Sequence, residues 1–224
     1  MDRTPARRAS RRTFLAFAAG SGLLAAAGRS AAQAALVEGQ HYTRLRNPQP
    51  VDSGKKIEVI EFFSYGCPHC RDLDPELVAW KKTLPADVDF KRVPVDFGRE
   101  QWRNLGKAYY TLEALEVEEK LTPELFVALH DKRVPLHEPK AFLDWVAGKG
   151  VDRKKAEETF NSFGVNSKMN PALQLAKNYS VQSVPVVFVD GKFQVSSDKV
   201  GTHAQLPGAI NQLIAKACAE RPKS

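Results

Sequence analysis

The sequence predicts an α/β protein in which two strand-containing segments flank a block of helices. The first segment has the pattern strand, helix, strand over residues 57–95, and the last has the pattern strand, strand, helix over residues 184–219. Between them, residues 99–179 carry apolar side chains at the spacing of amphipathic helices. A chain of 224 residues is long enough for a single large domain or for a domain with a sizeable insertion.

The first 34 residues are predicted to be an export signal that is removed after transport. Arginines precede an apolar stretch over residues 14–27, and Ala32-Gln33-Ala34 matches an A-x-A cleavage pattern. The pair Arg11-Arg12 is typical of a twin-arginine signal, and an ordinary secretory signal is the alternative. Either route carries the chain across a membrane into an oxidising compartment, where a disulfide persists.

The net charge does not indicate a nucleic-acid partner. Five of the seven net positive charges belong to residues 1–34, which contain six arginines and one acid. The remainder is only weakly basic, whereas a nucleic-acid-binding domain usually carries a strong basic patch. Three cysteines are also too few for a framework of structural disulfides.

The motif Cys67-Pro68-His69-Cys70 is the candidate active site. Apolar residues 57–63 predict a buried strand, and a helix-compatible segment begins directly after Gly66. Cys67 is therefore expected on the first turn of a helix, where free backbone N–H groups stabilise a thiolate and lower its pKa. Pro68 suits the first helical position, and His69 adds a titratable group beside the thiolate.

Two other interpretations of the cysteine pair are weaker. A C-x-x-C motif can be half of a zinc site, but the chain contains no second cysteine pair. It can also be a short structural bridge, although the strand before it and the helix after it favour redox chemistry. We therefore predict no metal and no cofactor other than a redox-active Cys67–Cys70 disulfide. The other histidines show no ligand spacing: His41, His130, His137 and His203.

The remaining elements follow in order. The first helix is expected to end near residue 83 with a kink at Pro75, and the second strand to cover residues 88–95. In the helical block, Pro123 is expected to open one helix, and Pro171 to interrupt or open the last. An apolar strand at residues 184–189 is followed by Asp190-Gly191, a hairpin turn signal, and then by a second strand and a final helix.

An acidic side chain within the first strand requires a partner. Glu61 lies among apolar residues, and an unpaired buried carboxylate would be costly. Lys91 on the neighbouring predicted strand could pair with it. A solvent-facing pair of little energetic consequence is the alternative.

The pattern as a whole resembles the DsbA-type thiol:disulfide oxidoreductases, which have a thioredoxin fold with an inserted α-helical domain. The motifs that carry the resemblance are Gly39-Gln40-His41-Tyr42, Glu61-Phe62-Phe63-Ser64, Cys67-Pro68-His69-Cys70, Val184-Pro185 and Phe188-Val189-Asp190-Gly191-Lys192. The resemblance implies a thioredoxin-like domain formed by residues 35–98 and 180–224. Residues 99–179 would then be the inserted helical domain.

The resemblance also implies roles for individual residues. Pro185 would be a cis-proline facing the disulfide, with a trans proline on an edge strand as the alternative. Val184 would offer its backbone groups to an incoming peptide. Glu61 and Lys91 would lie beneath the cysteines and tune their protonation.

The implied function is a periplasmic enzyme that donates its Cys67–Cys70 disulfide to exported polypeptides with free thiols. A membrane partner of the DsbB type, linked to quinone, would reoxidise it, and the protein would be a monomer. The alternatives are a reductase or isomerase of the same fold, and a peptide-holding chaperone whose cysteines are incidental. Cys218 is expected to be a buried or half-exposed bystander, with a route to intermolecular dimers as the alternative.

Overall fold

The computed structural model describes residues 34–221. The predicted export signal, residues 1–34, lies outside this range apart from Ala34. Among the described residues, no helix has the length and apolar character that a membrane span requires.

Five strands form one mixed sheet in the order β1-β5-β4-β2-β3. Strand β2 is an interior strand and fully buried; it pairs in parallel with β3 and antiparallel with β4. The strands are β1 (Thr43–Arg44), β2 (Ile57–Phe63), β3 (Val88–Pro94), β4 (Val186–Val189) and β5 (Phe193–Val195). A continuous apolar run such as β2 is what a strand covered on both faces requires.

Eight α-helices surround the sheet within the described part of the chain. They are α1 (Pro68–Lys81), α2 (Glu100–Ala114), α3 (Glu118–Phe126), α4 (Pro139–Ala147), α5 (Arg153–Phe160), α6 (Phe163–Asn178), α7 (Ser197–Val200) and α8 (Leu206–Glu220). A π-helix at Val127–Asp131 extends α3, and a 3₁₀-helix at His203–Gln205 precedes α8. The predicted order β-α-β, helical block, ββα is confirmed.

Two apolar cores lie on opposite faces of the sheet. Because side chains alternate along a strand, Ile60 and Phe62 of β2 pack against the helical block of α2–α6. Ile57 and Val59 instead pack against α1 and α8. The sheet is thus enclosed on both sides, and the carboxyl end of β2 leads directly into α1.

Two prolines lie at positions that the sequence analysis predicted wrongly. Pro123 is inside α3, which already begins at Glu118, and Pro171 is inside an unbroken α6. In each helix a buried apolar face continues past the proline, with Leu121 and Leu125 in α3. Tertiary packing of such a face can hold a helix together despite one lost hydrogen bond.

Candidate active site

The loop after β2 places Cys67 at the start of α1. Cys67 is the N-cap residue, and Pro68 occupies the first helical position, as predicted. The Cys67 N–H donates to the Ser64 carbonyl at 3.0 Å, and the Gly66 N–H donates to Ser64 Oγ at 3.1 Å. The Cys67 carbonyl accepts from the Cys70 N–H at 3.1 Å. These bonds fix the first cysteine relative to both the strand and the helix.

The environment of Cys67 favours its thiolate. The thiol of Cys70 donates a hydrogen bond to its sulfur, and the backbone N–H groups of Cys70 and His69 and the charge of His69 add to this effect. Together they outweigh partial burial and lower the pKa of Cys67 to about 6. Both cysteines are free thiols in this structure, so the geometry is that of the reduced form.

Cys70 has the opposite character. Its side chain is 1% exposed, and burial is the main reason why its pKa is raised well above the ordinary range. Its hydrogen bond to Cys67 and the negative charges of Cys67 and Glu61 act in the same direction. At neutral pH the reduced pair therefore holds one thiolate and one thiol.

The loop before β4 lies against Cys67. The peptide bond between Val184 and Pro185 is cis, the geometry that the resemblance implied. The Cys67 sulfur lies 3.4 Å from the Val184 carbonyl oxygen and hydrogen bonds to it when protonated. The cis-proline loop and the first turn of α1 therefore meet at the reactive sulfur.

Glu61 is buried and its charge acts on Cys70, but Lys91 is not its partner, and the prediction of a Glu61–Lys91 pair is wrong. In the parallel pairing of β2 with β3, Glu61 lies opposite Arg92, whereas Lys91 lies opposite Ile60. Opposed residues share a face of the sheet, so the Arg92 side chain reaches Glu61 and the Lys91 side chain points to the other face. Arg92 Nε donates to Glu61 Oε2 at 2.9 Å, and Lys91 Nζ donates to Glu58 Oε2 at 2.8 Å.

Arg92 is shared among several carboxylates in a nearly dry environment. Its Nη2 donates to Asp74 Oδ1 at 2.7 Å, and its Nη1 lies 3.7 Å from Glu118 Oε1. Burial raises the pKa of Glu61 to about 7, and the Arg92 charge limits that rise. A carboxyl group that titrates near neutral pH thus lies close enough to Cys70 to raise the pKa of its thiol.

Two contacts to the active-site loop had no signal in the sequence. His130, in the π-helix, places Nε2 2.7 Å from the Tyr65 carbonyl oxygen. The indole of Trp102 covers Gly66 so closely that a Cβ at this position would lie 2.6 Å from Nε1. Both residues come from the helical block, and only the folded chain brings them to the loop.

A reactive thiolate at a helix start, a buried thiol partner and a cis-proline loop on this sheet define a thiol:disulfide oxidoreductase of the thioredoxin fold. The family model described as "DSBA-like thioredoxin domain" matches residues 58–206. The chain belongs to this family.

Relatives of known name agree with this assignment. The chain is 42% identical over 172 residues to "Thiol:disulfide interchange protein DsbA" of Burkholderia cepacia, covering 76% of this chain and 81% of that protein. It is 39% identical over 185 residues to the protein of that name from Pseudomonas aeruginosa, covering 83% and 87%.

Solved structures are similar as well. The crystal structure of Pseudomonas aeruginosa DsbA matches with a TM-score of 0.78 at 38% identity, covering 83% of this chain and 97% of that one. Reduced DsbA1 from Neisseria meningitidis matches with a TM-score of 0.74 at 28% identity, covering 84% and 98%. The predicted thioredoxin fold with a helical insertion is confirmed.

Proposed function

We propose that this protein works in the periplasm as a disulfide donor, oxidising exported polypeptides that carry free thiols. The observation that carries the proposal is the unequal acidity of the two cysteines. Cys67 is stabilised as a thiolate, whereas Cys70 is held as a thiol. A thiolate of low pKa is a good leaving group, so the oxidised pair transfers its disulfide readily.

The exchange takes two steps. A substrate thiolate attacks Cys67 Sγ, the Cys67–Cys70 bond breaks, and Cys70 leaves and takes up a proton. A second substrate thiolate then attacks the substrate sulfur of the mixed disulfide and expels Cys67 as a thiolate. Two substrate thiols become one disulfide, and the enzyme's disulfide becomes a thiolate and a thiol.

The low pKa of Cys67 stabilises the reduced enzyme. The thiolate exists only after the disulfide opens, and a pKa of about 6 lies below the ordinary value of 9.0. The resulting stabilisation is present above pH 9 and is lost as the pH falls through 6. Between pH 6 and pH 8, the stability of the reduced form should rise by about 2 kcal/mol relative to the oxidised form. Denaturant unfolding of both forms at the two pH values measures this difference.

The roles of the neighbouring residues follow from the same geometry. His69 contributes charge stabilisation to the Cys67 thiolate, and Pro68 sets the start of the helix. Val184 and Pro185 would bind the substrate backbone beside the reactive sulfur. Residues 35–98 and 180–224 would form the thioredoxin-like domain, with residues 99–179 inserted as the helical domain.

Reoxidation requires a second partner. A quinone-linked membrane protein of the DsbB type would accept the two electrons and restore the Cys67–Cys70 disulfide without a bound cofactor in this chain. The enzyme would act on both partners as a monomer, since each exchange uses a single cysteine pair.

A redox equilibrium with glutathione tests the proposal. For a potential near that of a strong oxidant, about −120 mV, we expect the pair to be mostly reduced in about 1 mM each of reduced and oxidised glutathione. A reductase would stay oxidised in this buffer, because its potential is near −270 mV. Mass spectrometry after acid quenching and alkylation gives the ratio, and a mostly oxidised pair would overturn the donor assignment.

A trapping variant separates an enzyme from a peptide-holding chaperone. In Cys70→Ala, a mixed disulfide between Cys67 and a substrate cannot be resolved from within the enzyme, so covalent complexes should accumulate. Cys218→Ala is the matched control, because Cys218 is exposed and far along the chain on α8. A Cys70→Ala protein that binds thiol-containing polypeptides only non-covalently would identify a holdase instead.

A further inference from the structure

Three potential metal ligands meet beside the active-site helix. His69 and Asp72 lie three residues apart on α1, so they share one face of its first turns. His203 comes from the 3₁₀-helix before α8. One ligand atom from each of these side chains lies within 4.8 Å of the corresponding atoms of the other two. These residues have no metal-ligand spacing along the chain, because only folding brings His203 to α1.

The ring of His203 is already held in place. Its Nδ1 lies 2.7 Å from Ser197 Oγ, and Ser197 is a buried residue at the start of α7. Metal-binding histidines usually use one ring nitrogen for such a hydrogen bond and present the other to the metal. The hydrogen bond to Ser197 therefore fixes the orientation of the His203 ring and leaves Nε2 as the nitrogen for a metal.

Asp72 has one carboxylate oxygen occupied. Arg71 donates to Asp72 Oδ1 from Nε at 2.9 Å and from Nη2 at 2.7 Å. Oδ2 is then the oxygen that can face a metal. Arg71 also pairs with Asp131 at 2.6 Å, so its charge is divided between two carboxylates.

We propose that His69, Asp72 and His203 bind a divalent transition metal ion, with Zn²⁺ as the representative ion. Two imidazole nitrogens and one carboxylate oxygen form a donor set that Zn²⁺ uses in proteins, with a fourth position left for water. The ligand atoms around tetrahedral Zn²⁺ lie about 3.4 Å apart, given bonds of roughly 2.0–2.1 Å. Exposed His69 and Asp72 can close the difference by small side-chain rotations.

The proposed site does not rest on the disulfide-donor proposal, although it shares His69 with the active site. His69 lies two residues after Cys67, and its charge already lowers the pKa of that thiol. A bound dication would engage this imidazole and place additional positive charge near the sulfur.

Zn²⁺ titration of the oxidised protein tests the site. In the oxidised form the sulfurs of Cys67 and Cys70 are bonded to each other, so they do not provide thiolate ligands. Cys218→Ser serves as the common background, because it removes the remaining cysteine of the chain. Isothermal titration calorimetry should show saturable binding of one Zn²⁺ per chain.

Single substitutions then locate the ligands. We expect His203→Gln and Asp72→Asn each to weaken Zn²⁺ binding at least tenfold, whereas His137→Gln should bind like the parent. His137 is the matched control because it lies outside the cluster. Circular dichroism checks that each variant is folded. If His203→Gln does not fold, Asp72→Asn still tests the site. Absence of saturable binding, or equal affinity in all folded variants, would overturn the proposal.

Discussion

Strand β2 carries two buried glutamates, Glu58 and Glu61, and the sheet places them in different surroundings. Glu58 pairs with Lys91, whose side chain is 38% exposed, and also accepts the Asp52 N–H at 3.2 Å. Glu61 pairs with Arg92, whose side chain is 9% exposed and is shared with other carboxylates. Both acids are almost equally buried, at 3% and 2%.

The difference between the two pairs lies in their partners. Water reaches the ammonium group of Lys91. The basic partner of the Glu58–Lys91 pair is therefore solvated, as in a surface ion pair. Water has almost no access to Arg92. Its single positive charge is shared by three carboxyl groups, those of Glu61, Asp74 and Glu118. Burial raises the pKa of Glu61 to about 7. Glu61, whose counter-charge is dry and shared, is the acid whose charge raises the pKa of Cys70.

The largest expected effect is the loss of stability on removing Arg92, compared with the small loss on removing Lys91. Arg92→Met should lower the free energy of unfolding by about 3–5 kcal/mol, because it leaves buried carboxylates uncompensated. Lys91→Met should cost less than about 1 kcal/mol, because Lys91 is partly exposed and Glu58 keeps a backbone hydrogen bond. Urea denaturation measures both values. Similar losses in the two variants would show that the two pairs do not differ in this way.

The next effect is the pH dependence of stability that Glu61 contributes. A folded-state pKa of about 7, raised from 4.5, gives stability that is present below pH 4.5 and is lost as the pH rises through 7. In the oxidised protein, the advantage of wild type over Glu61→Gln should therefore shrink by about 3 kcal/mol from pH 4.5 to pH 8.

Glu58→Gln is the control for this titration. It removes the other buried acid of β2 but leaves Glu61 and Arg92 in place. Measuring its unfolding free energy over the same pH range separates the effect of the acid that pairs with Arg92 from the effect of removing any buried glutamate of β2. If Glu61→Gln keeps the pH dependence of wild type, Glu61 does not titrate there.

The smallest effect concerns Cys70. The charge of Glu61 raises the pKa of this thiol, so Glu61→Gln should make Cys70 more reactive. In a Cys67→Ser, Cys218→Ser background, alkylation of Cys70 at pH 8 should accelerate about two- to fivefold. Glu58→Gln should leave the rate unchanged, since Glu58 faces the other side of the sheet. Equal alkylation rates in the background protein, Glu61→Gln and Glu58→Gln would show that the charge of Glu61 does not affect the Cys70 thiol.

Short-range features of the structure could be predicted from the sequence. The position of Cys67 depends on a buried strand, a glycine break and a proline at the first helical position, all within a few residues. The hairpin at Asp190-Gly191 is equally local, and both residues have the positive φ that such a turn requires. Local chemistry determines both features without reference to the rest of the chain.

The partner of Glu61 could not be predicted in this way. Lys91 and Arg92 are adjacent basic residues, and a shift of one residue exchanges which of them faces Glu61. No tight turn fixes the register between β2 and β3, because the whole of α1 lies between them. The contribution of His203 escaped prediction for a similar reason, since only the packing of α8 and its preceding turn against α1 brings it near His69.

The contact between Gly66 and Trp102 limits how this enzyme can be engineered. A library that randomises the loop has no room at position 66, where any larger residue would have to displace the indole. Pro68 and His69 are exposed, so many side chains fit there without disturbing the interior. Directed evolution of the oxidising strength therefore has more room between the cysteines than at the position just before them, where any larger residue must move Trp102.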